Sequence, residues 1–139
     1  MSLSETIHAS CVAIDGRGVL IAGPSGSGKS DLALRLIDRG ATLVSDDYTE
    51  LSQVGRSLHA NAPATIAGKI EVRALGICAL PHVEGAPVAL FVAADPAPER
   101  MPEPATMTVA GVELPLLALA LTEPSAPLKV ELALARVVG

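Results

Sequence analysis

Apolar and polar residues alternate near the start of the chain in the way that is typical of a β-strand. Odd-numbered and even-numbered residues between positions 7 and 14 fall on opposite faces, which predicts one strand over Ile7–Ile14. Asp15–Gly18 is interpreted as a turn, because Asp-Gly readily adopts a positive φ. The apolar run Val19–Ala22 predicts a short buried strand after that turn.

A helix is predicted directly after a glycine-rich loop at Gly23–Lys29. The segment Ser30–Arg39 carries Ala33 and Leu36 at helical spacing, so these side chains share one apolar stripe. Gly40 suits the left-handed residue that often follows a helix. The helix therefore begins where the glycine-rich loop ends.

The rest of the chain is predicted to be mainly extended, with one further helix. Four prolines between Asp95 and Pro104 exclude both helix and sheet from that segment. The final helix, Leu128–Val138, places Leu128, Leu132 and Ala135 on one face. The other predicted strands are Thr42–Ser45, a hairpin of Glu50–Val54 with Ser57–Asn61, Lys69–Arg73, Gly76–Leu80, a central Val88–Ala93, and a small hairpin over Met107–Leu114.

Composition bounds the kinds of protein that this chain can be. Its 139 residues correspond to one domain of about 100–150 residues, so residues 1–139 are predicted to form a single domain. A hydrophobic fraction of 50% argues against disorder. A net charge of -5, with one Phe, one Tyr and no Trp, argues against nucleic-acid binding.

The sequence carries no signal for a membrane or for export. No apolar run reaches the roughly 20 residues of a membrane span. Met1–Ile7 lacks the basic and apolar regions of a signal peptide. Cys11 and Cys78 are too few and too far apart for a metal cage, and are interpreted as buried small hydrophobic residues. A cytoplasmic location is therefore expected.

The strongest motif in the chain is a glycine-rich loop of the form G-x-x-x-x-G-K-[ST]. Phosphate oxygens need several converging backbone N–H groups, and glycines allow such a loop. The following helix points its positive end at the same place. Binding of a nucleoside triphosphate is therefore predicted at Gly23, Pro24, Ser25, Gly26, Ser27, Gly28, Lys29 and Ser30.

Acidic residues follow at the end of a predicted strand. Asp46 and Asp47 come directly after Thr42–Ser45, and they would lie near the phosphates if that strand is next to Val19–Ala22. Glu71 and Arg73 would share a strand face, where they could hold metal and phosphate or form a solvated pair.

Three histidines and one arginine remain as weaker candidates from the residues alone. His8 lies on the predicted first strand and Arg100 in the proline-rich segment, where an arginine could act on a phosphoryl group. His59 and His82 have no partners in the pattern and are interpreted as surface residues. Taken singly, none of the four is specific.

The order of these features resembles the catalytic C-terminal domain of the HPr kinase/phosphorylase family, in particular its short single-domain α-proteobacterial forms. The likeness is close from His8 to Asp47, resumes at Glu71–Ile77 and is weak after about residue 80. The residues that carry it are His8, Gly18–Ile21, the glycine-rich loop, Ala33-Leu34, Leu36-Ile37, Arg39-Gly40, Leu43-Val44-x-Asp46-Asp47 and Glu71-Val72-Arg73-x-Leu75-Gly76-Ile77.

The resemblance implies roles for individual residues. Lys29 and the loop would hold ATP, while Ser30 and Glu71 would be ligands of Mg²⁺. Asp47 would take the proton from an acceptor serine. The remaining implied roles are support of that acid by His8, a place beside it for Asp46, and action of Arg100 on the phosphoryl group.

The resemblance also implies a fold, a substrate and an assembly. The fold is the P-loop kinase α/β type of phosphoenolpyruvate carboxykinase, with mixed β-sheets. The substrate is a serine on HPr, the small phosphocarrier of the sugar phosphotransferase system, and many members also run phosphorolysis of that phosphoserine. The assembly is a homo-oligomer, usually a hexamer.

The chain departs from the family pattern at several places. Asp31 replaces a glutamate, Ala74 replaces a glycine, and the family's regulatory N-terminal domain has no counterpart. The family's arginine-containing phosphorolysis segment is represented by Leu121–Ala126, which has no cation and contains Glu123. The sequence therefore predicts a kinase with weak or absent phosphorolysis.

Three functions stay open at the level of sequence. The favoured function is an Mg²⁺-dependent serine kinase that acts on an HPr-like phosphocarrier protein. A small-molecule kinase would need a closed acceptor pocket, for which 139 residues leave little chain. A nucleotide-binding regulator without transfer chemistry is the third. For the kinase, a homo-oligomer is expected, with Asp95–Pro104 near the acceptor.

Overall fold

The computed structural model of the chain describes residues 3–138 and has the mixed α/β architecture that the sequence predicts. Strands hold more residues than the two α-helices, which are short. The elements are β1 (Ser4–Ile7), β2 (Ala9–Ile14), β3 (Arg17–Ala22), α1 (Lys29–Asp38), β4 (Thr42–Ser45), β5 (Thr49–Val54), β6 (Ser57–Asn61), a 3₁₀ turn (Ala64–Ile66), β7 (Lys69–Val72), β8 (Gly76–Ala79), β9 (Ala86–Ala94), β10 (Ala105–Val109), β11 (Val112–Leu119) and α2 (Ala126–Val138).

Strand β9 lies at the centre of the nine-stranded main sheet, as predicted for Val88–Ala93. One edge of β9 pairs in parallel with β3, which continues antiparallel to β2 and then to β4. The other edge of β9 pairs with two different strands, β6 and β11. Its beginning, at Ala86 and Pro87, pairs with β6 of the β1-β5-β6 group, and its end, from Phe91 to Ala94, pairs with β11. The sheet therefore forks at β9.

Both faces of the main sheet are buried at β3, which explains why most of this strand is a continuous apolar run. Alternate residues of β2 and β3 enter different core clusters, with Val12 and Ile21 in one and Cys11 and Leu20 in the other. The first cluster includes the predicted apolar stripe of α1 and the buried side chains of α2. This packing fixes α1 directly behind the end of β3.

The predicted first strand is broken at His8, which corrects the single strand expected over Ile7–Ile14. Residues before the break pair with β5, whereas those after it pair with β3 and β4. One straight strand cannot pair with β5 and also with β3 and β4, which lie in different parts of the sheet. The chain therefore bends at His8. Alternation cannot reveal such a bend, because it continues across His8 unchanged.

The predicted placement of the aspartates assumed that β4 lies next to β3. In the structure the two strands are not adjacent. The order is β3-β2-β4, so β2 lies between them. Because both neighbours are antiparallel to β2, β3 and β4 still run in the same direction and end at the same edge. The aspartates after β4 therefore reach the glycine-rich loop across the start of β2.

The two cysteines differ in burial. Cys11 is 0% exposed, and burial raises the pKa of its thiol to about 12, so it is a small core residue as predicted. Cys78 on β8 is only half-buried, which corrects the prediction that both are core residues. Neither helix within residues 3–138 is long and apolar enough to span a bilayer.

Strands β7 and β8 form a separate two-stranded ribbon, whose turn contains Ala74. Ala74 has a φ of 76°, in the left-handed region that favours glycine. Leu75 N–H donates to the carbonyl of Val72 at 3.0 Å, which closes the turn and holds Ala74 in this conformation. The alanine that departs from the family pattern is thus strained.

Replacing Ala74 with glycine is expected to raise the free energy of unfolding by about 0.5–1 kcal/mol. Relief of the left-handed conformation contributes roughly 1–2 kcal/mol, and the greater entropy of the unfolded chain offsets part of it. Urea denaturation measures the change. The control is Ala79→Gly, an exposed position within β8, which is expected to lower stability. Equal effects of both changes would contradict the assigned strain.

Candidate functional site

The glycine-rich loop, Gly23–Ser30, joins β3 to α1 and adopts a conformation that requires its glycines. Gly26 and Gly28 have φ angles of 82° and 100°, where side chains are disfavoured. A Cβ on Gly23 would lie 2.6 Å from both the Cβ of Ala94 and the Oγ of Ser27. The loop therefore needs glycine at positions 23, 26 and 28.

Two observations indicate that this loop is built for an anion. The Oγ of Ser27 is buried and has no hydrogen-bond partner among residues 3–138. Since buried polar atoms are almost always paired, this hydroxyl is suited to a bound group. Helix α1 also begins here with unpaired backbone N–H groups and its positive end. A phosphate chain fits both features.

Lys29 supplies the positive charge of the loop. Its side chain is only 6% exposed, and its Nζ donates to the carbonyls of Gly23 at 2.9 Å and Pro24 at 3.2 Å. These acceptors are neutral, so they orient the ammonium group without neutralising it. A buried cation held in this way favours a nearby negative ligand.

Asp46 connects three parts of the site. Its Oδ1 accepts hydrogen bonds from the hydroxyls of Ser30, at 2.6 Å, and Ser10, at 2.9 Å. Its Oδ2 accepts from the backbone N–H of Glu71 at 3.0 Å. Asp46 is 5% exposed, so this carboxylate ties α1, β2 and the β7–β8 ribbon together.

Asp47 has a different environment from its neighbour. Its side chain is 59% exposed, and its Oδ1 lies 2.8 Å from the Nε2 of His8. The backbone has a φ of 69°, which aspartate tolerates better than most residues. The His8 ring stacks on Tyr48 at 5.0 Å between centroids. The imidazole therefore orients an accessible carboxylate.

A cleft of about 420 Å³ brings most of the candidate residues together. The glycine-rich loop forms its floor, and the β7–β8 ribbon and the turn before α2 form its walls. Its lining residues are Ser25, Gly26, Gly28, Lys29, Ser30, Asp31, Leu34, Asp47, Glu71, Val72, Arg73 and Thr122.

The pairing of Glu71 and Arg73 on one strand face is not correct, because β7 ends at Val72 and Arg73 lies in the turn. Both residues nevertheless line the cleft. Within residues 3–138 no group of three His, Cys, Asp or Glu side chains forms a metal cage. Mg²⁺ usually takes one or two carboxylates together with phosphates and waters, so Ser30, Asp46 and Glu71 fit that ion.

Arg100 lies apart from the other candidates. Its segment has neither helix nor strand, as predicted, and the residue is exposed and does not line the cleft. The structure therefore brings together His8, Lys29, Ser30, Asp47 and Glu71, but not Arg100. Its action on the phosphoryl group stays a prediction.

The turn between β11 and α2 is held by Arg35, a residue that the sequence reasoning did not single out. Its guanidinium donates to the carbonyls of Leu121 and Glu123, the latter at 2.9 Å, and to Asp31 at 3.0 Å. This places Thr122 against the loop, where a Cβ on Gly28 would lie 3.0 Å from its methyl group. The pattern gave no signal, because an arginine on the polar side of a helix is common.

Comparisons with known proteins agree on one family. Residues 1–89 match the family model described as HPr Serine kinase C-terminal domain. The HPr kinase/phosphorylase of Clostridium tetani is 42% identical over 79 residues, which are 57% of this chain and 26% of that protein. That of Caldanaerobacter subterraneus subsp. tengcongensis is 47% identical over 73 residues, or 52% of this chain and 24% of that protein.

A solved structure matches nearly the whole chain. It is the Hpr(Ser) kinase/phosphatase from Coxiella burnetii, with a TM-score of 0.80 and 32% identity. The match covers 95% of this chain and 94% of that one. The aligned part is only about a quarter of the length of the curated relatives. The Coxiella burnetii structure, in contrast, is about as long as this chain.

Proposed function

The chain belongs to the family of HPr serine kinase C-terminal domains, and from that premise we propose that it transfers the γ-phosphoryl group of ATP to a serine of an HPr-type phosphocarrier protein in the cytoplasm. One observation carries the proposal. The exposed carboxylate of Asp47, held 2.8 Å from His8, lies in the same cleft as Lys29 and Ser30. The proposed base and the proposed phosphate-binding loop therefore face the same cleft.

The glycine-rich loop would hold the triphosphate of ATP. Its backbone N–H groups and the unpaired hydroxyl of Ser27 would donate to phosphate oxygens. Lys29 would turn its ammonium group from the loop carbonyls toward the β- and γ-phosphates. Since this cation is nearly buried, it stabilises negative charge more strongly than a solvated lysine.

Ser30, Glu71 and Asp46 would hold Mg²⁺ beside the phosphates. When bound, Mg²⁺ neutralises charge that develops on the transferring phosphoryl group. Asp46 joins the set proposed from the sequence because its carboxylate already accepts the Ser30 hydroxyl. The hydrogen bond from the Glu71 backbone fixes the distance between the ribbon and the loop.

Asp47 would act as the general base. Its carboxylate takes the proton of the acceptor serine as the hydroxyl oxygen attacks phosphorus. His8 orients the carboxylate through the 2.8 Å contact, and Tyr48 supports the imidazole by stacking. The exposure of Asp47 allows a serine on another protein to reach it.

The direct test is transfer of labelled phosphate from the γ-position of ATP to the organism's own HPr-like protein. Label on a serine, dependent on Mg²⁺, would support the proposal. A parallel reaction without divalent cation provides the control. No label, together with intact ATP binding, would instead favour a nucleotide-binding regulator without transfer chemistry.

Phosphorolysis is expected to be about a hundredfold slower than kinase turnover, because a missing anion stabiliser costs roughly that factor. The cations nearest to Leu121–Ala126 are already engaged: Arg35 holds backbone carbonyls and Asp31, and Lys129 pairs with Glu123 at 2.7 Å. That pairing also offsets part of the negative charge of Glu123. The measurement is pyrophosphate release from the phosphoserine carrier and inorganic phosphate. Comparable rates of phosphorolysis and of kinase turnover would contradict this expectation.

We also propose that the chain assembles into a homo-oligomer. The predicted apolar face of α2 is exposed, with Leu128 at 46% and Leu132 at 69%. Light scattering at micromolar concentration is expected to give a mass of several subunits. Leu132→Glu should reduce that mass without lowering the free energy of unfolding, since the side chain is exposed. A monomeric parent protein would rule out the assembly.

A further inference from the structure

A buried serine on β2 contacts both neighbouring aspartates of the site. Ser10 is 0% exposed, and its hydroxyl donates to the Oδ1 of Asp46 at 2.9 Å. The same oxygen accepts the backbone N–H of Asp47 at 3.2 Å. Ser10 therefore joins the start of β2 to both consecutive residues that follow β4.

The hydrogen bonds around Ser10 can run in only one sense. A backbone N–H can only donate, and an ionised carboxylate can only accept. The single proton of the hydroxyl must therefore point to Asp46, and a lone pair must face Asp47. In this arrangement Ser10 satisfies a buried carboxylate and a backbone donor at once.

The two contacts set the different directions of the two carboxylates. Ser10 and Ser30 both bond to Oδ1, so Asp46 faces inward, toward the start of α1. The bond to the Asp47 N–H adds to the hydrogen bond that the Tyr48 N–H donates to the Asp46 carbonyl at 2.8 Å. Together they hold the backbone at a φ of 69°, with the second carboxylate turned outward to His8. Without Ser10, Asp46 would keep the Ser30 hydroxyl and the Glu71 N–H, but the Asp47 N–H would lose its acceptor on β2.

We propose that Ser10 is a positioning residue for phosphoryl transfer, which holds Asp46 at the metal-binding position and Asp47 at the base position. This inference rests on the proposed kinase function. It does not require Ser10 to touch ATP or the acceptor. Sequence reasoning placed Ser10 on the face of His8 but gave it no role.

The test compares Ser10→Ala with Thr49→Val in the full chain. Thr49 is a matched control, because it is also 0% exposed and its hydroxyl donates to the Ala9 carbonyl at 2.8 Å rather than to an aspartate. Ser10→Ala should lower kcat about 10–100-fold, as loss of a supporting contact does, with KM for ATP within about threefold. Thr49→Val should leave both constants unchanged.

Amide hydrogen exchange gives a second measurement that does not depend on catalysis. The Asp47 amide should exchange about tenfold faster in Ser10→Ala, because it loses its acceptor, and at the parent rate in Thr49→Val. If Ser10→Ala does not fold, Ser10→Cys replaces it, since a thiol keeps the volume but is a weak hydrogen-bond partner.

The outcomes separate this inference from the proposed function. A parent protein that does not phosphorylate the carrier contradicts the kinase proposal, and the exchange rate alone then tests whether Ser10 holds the turn. Unchanged exchange and unchanged kcat in Ser10→Ala would overturn the role of Ser10. An equal loss of kcat in both variants would also overturn it, because general weakening of β2 would then explain the result.

Discussion

Asp47→Asn is expected to lower kcat for transfer to the carrier serine by about 10²–10⁴-fold, the usual contribution of a general base. Asparagine cannot take the serine proton, but it has nearly the same shape as aspartate. It also tolerates the φ of 69° at this position and can still bond to His8. Binding of ATP should therefore remain within a few-fold of the parent value.

The measurement combines initial rates of serine phosphorylation with equilibrium binding of a fluorescent ATP analogue. Asp15→Asn is the matched control, because Asp15 is also exposed and has a φ of 51°, but lies in the β2–β3 turn outside the cleft lining. Its rates should equal those of the parent. If Asp47→Asn transferred phosphate at the parent rate, another group would have to be the base.

The glycine-rich loop and the paired aspartates could be predicted because their chemistry depends on adjacent residues. A loop that receives phosphate needs glycines and a lysine at fixed spacing, and α1 follows it within one residue of the predicted start. The aspartates follow a short apolar strand. Such local signals survive folding, because neighbours in sequence stay neighbours in space.

Contacts between distant elements could not be read from the pattern. The inward contact of Asp46 depends on Ser10, 36 positions earlier. The turn before α2 is held by a hydrogen bond from Arg35 to the carbonyl of Glu123, 88 positions later. A serine on a strand and an arginine on a helix are ordinary residues until the fold supplies their partners. The sequence therefore predicted which residues line the cleft better than which residues hold them in place.

The exposed face of α2 shows a second property that the sequence pattern could not predict, namely which side of a helix packs against the core. Leu128 and Leu132 share a face at helical spacing, which often marks the side turned to the core. In the structure the buried side chains of α2 are instead Ala126, Pro127, Val130 and Leu134. A helix with apolar residues on two faces offers two ways to pack, and the choice depends on the shape of the sheet beneath it.

Asp46→Asn is expected to act on stability as well as on catalysis, unlike the same change at Asp47. If the amide oxygen faces the two serines, its NH₂ group faces the donating N–H of Glu71. If it is turned the other way, the buried hydroxyl protons lose their carboxylate acceptor. Either orientation leaves a buried donor unpaired, which costs about 1–3 kcal/mol in the free energy of unfolding.

Urea denaturation of the two variants, side by side, distinguishes these neighbouring carboxylates. Asp46→Asn should unfold at lower urea, while Asp47→Asn should match the parent, because its side chain is 59% exposed. In folded Asp46→Asn, the Mg²⁺ concentration for half-maximal transfer should rise about 10–100-fold. An unchanged Mg²⁺ requirement would remove Asp46 from the metal site. Equal stability of both variants would contradict its role as the link between α1, β2 and the ribbon.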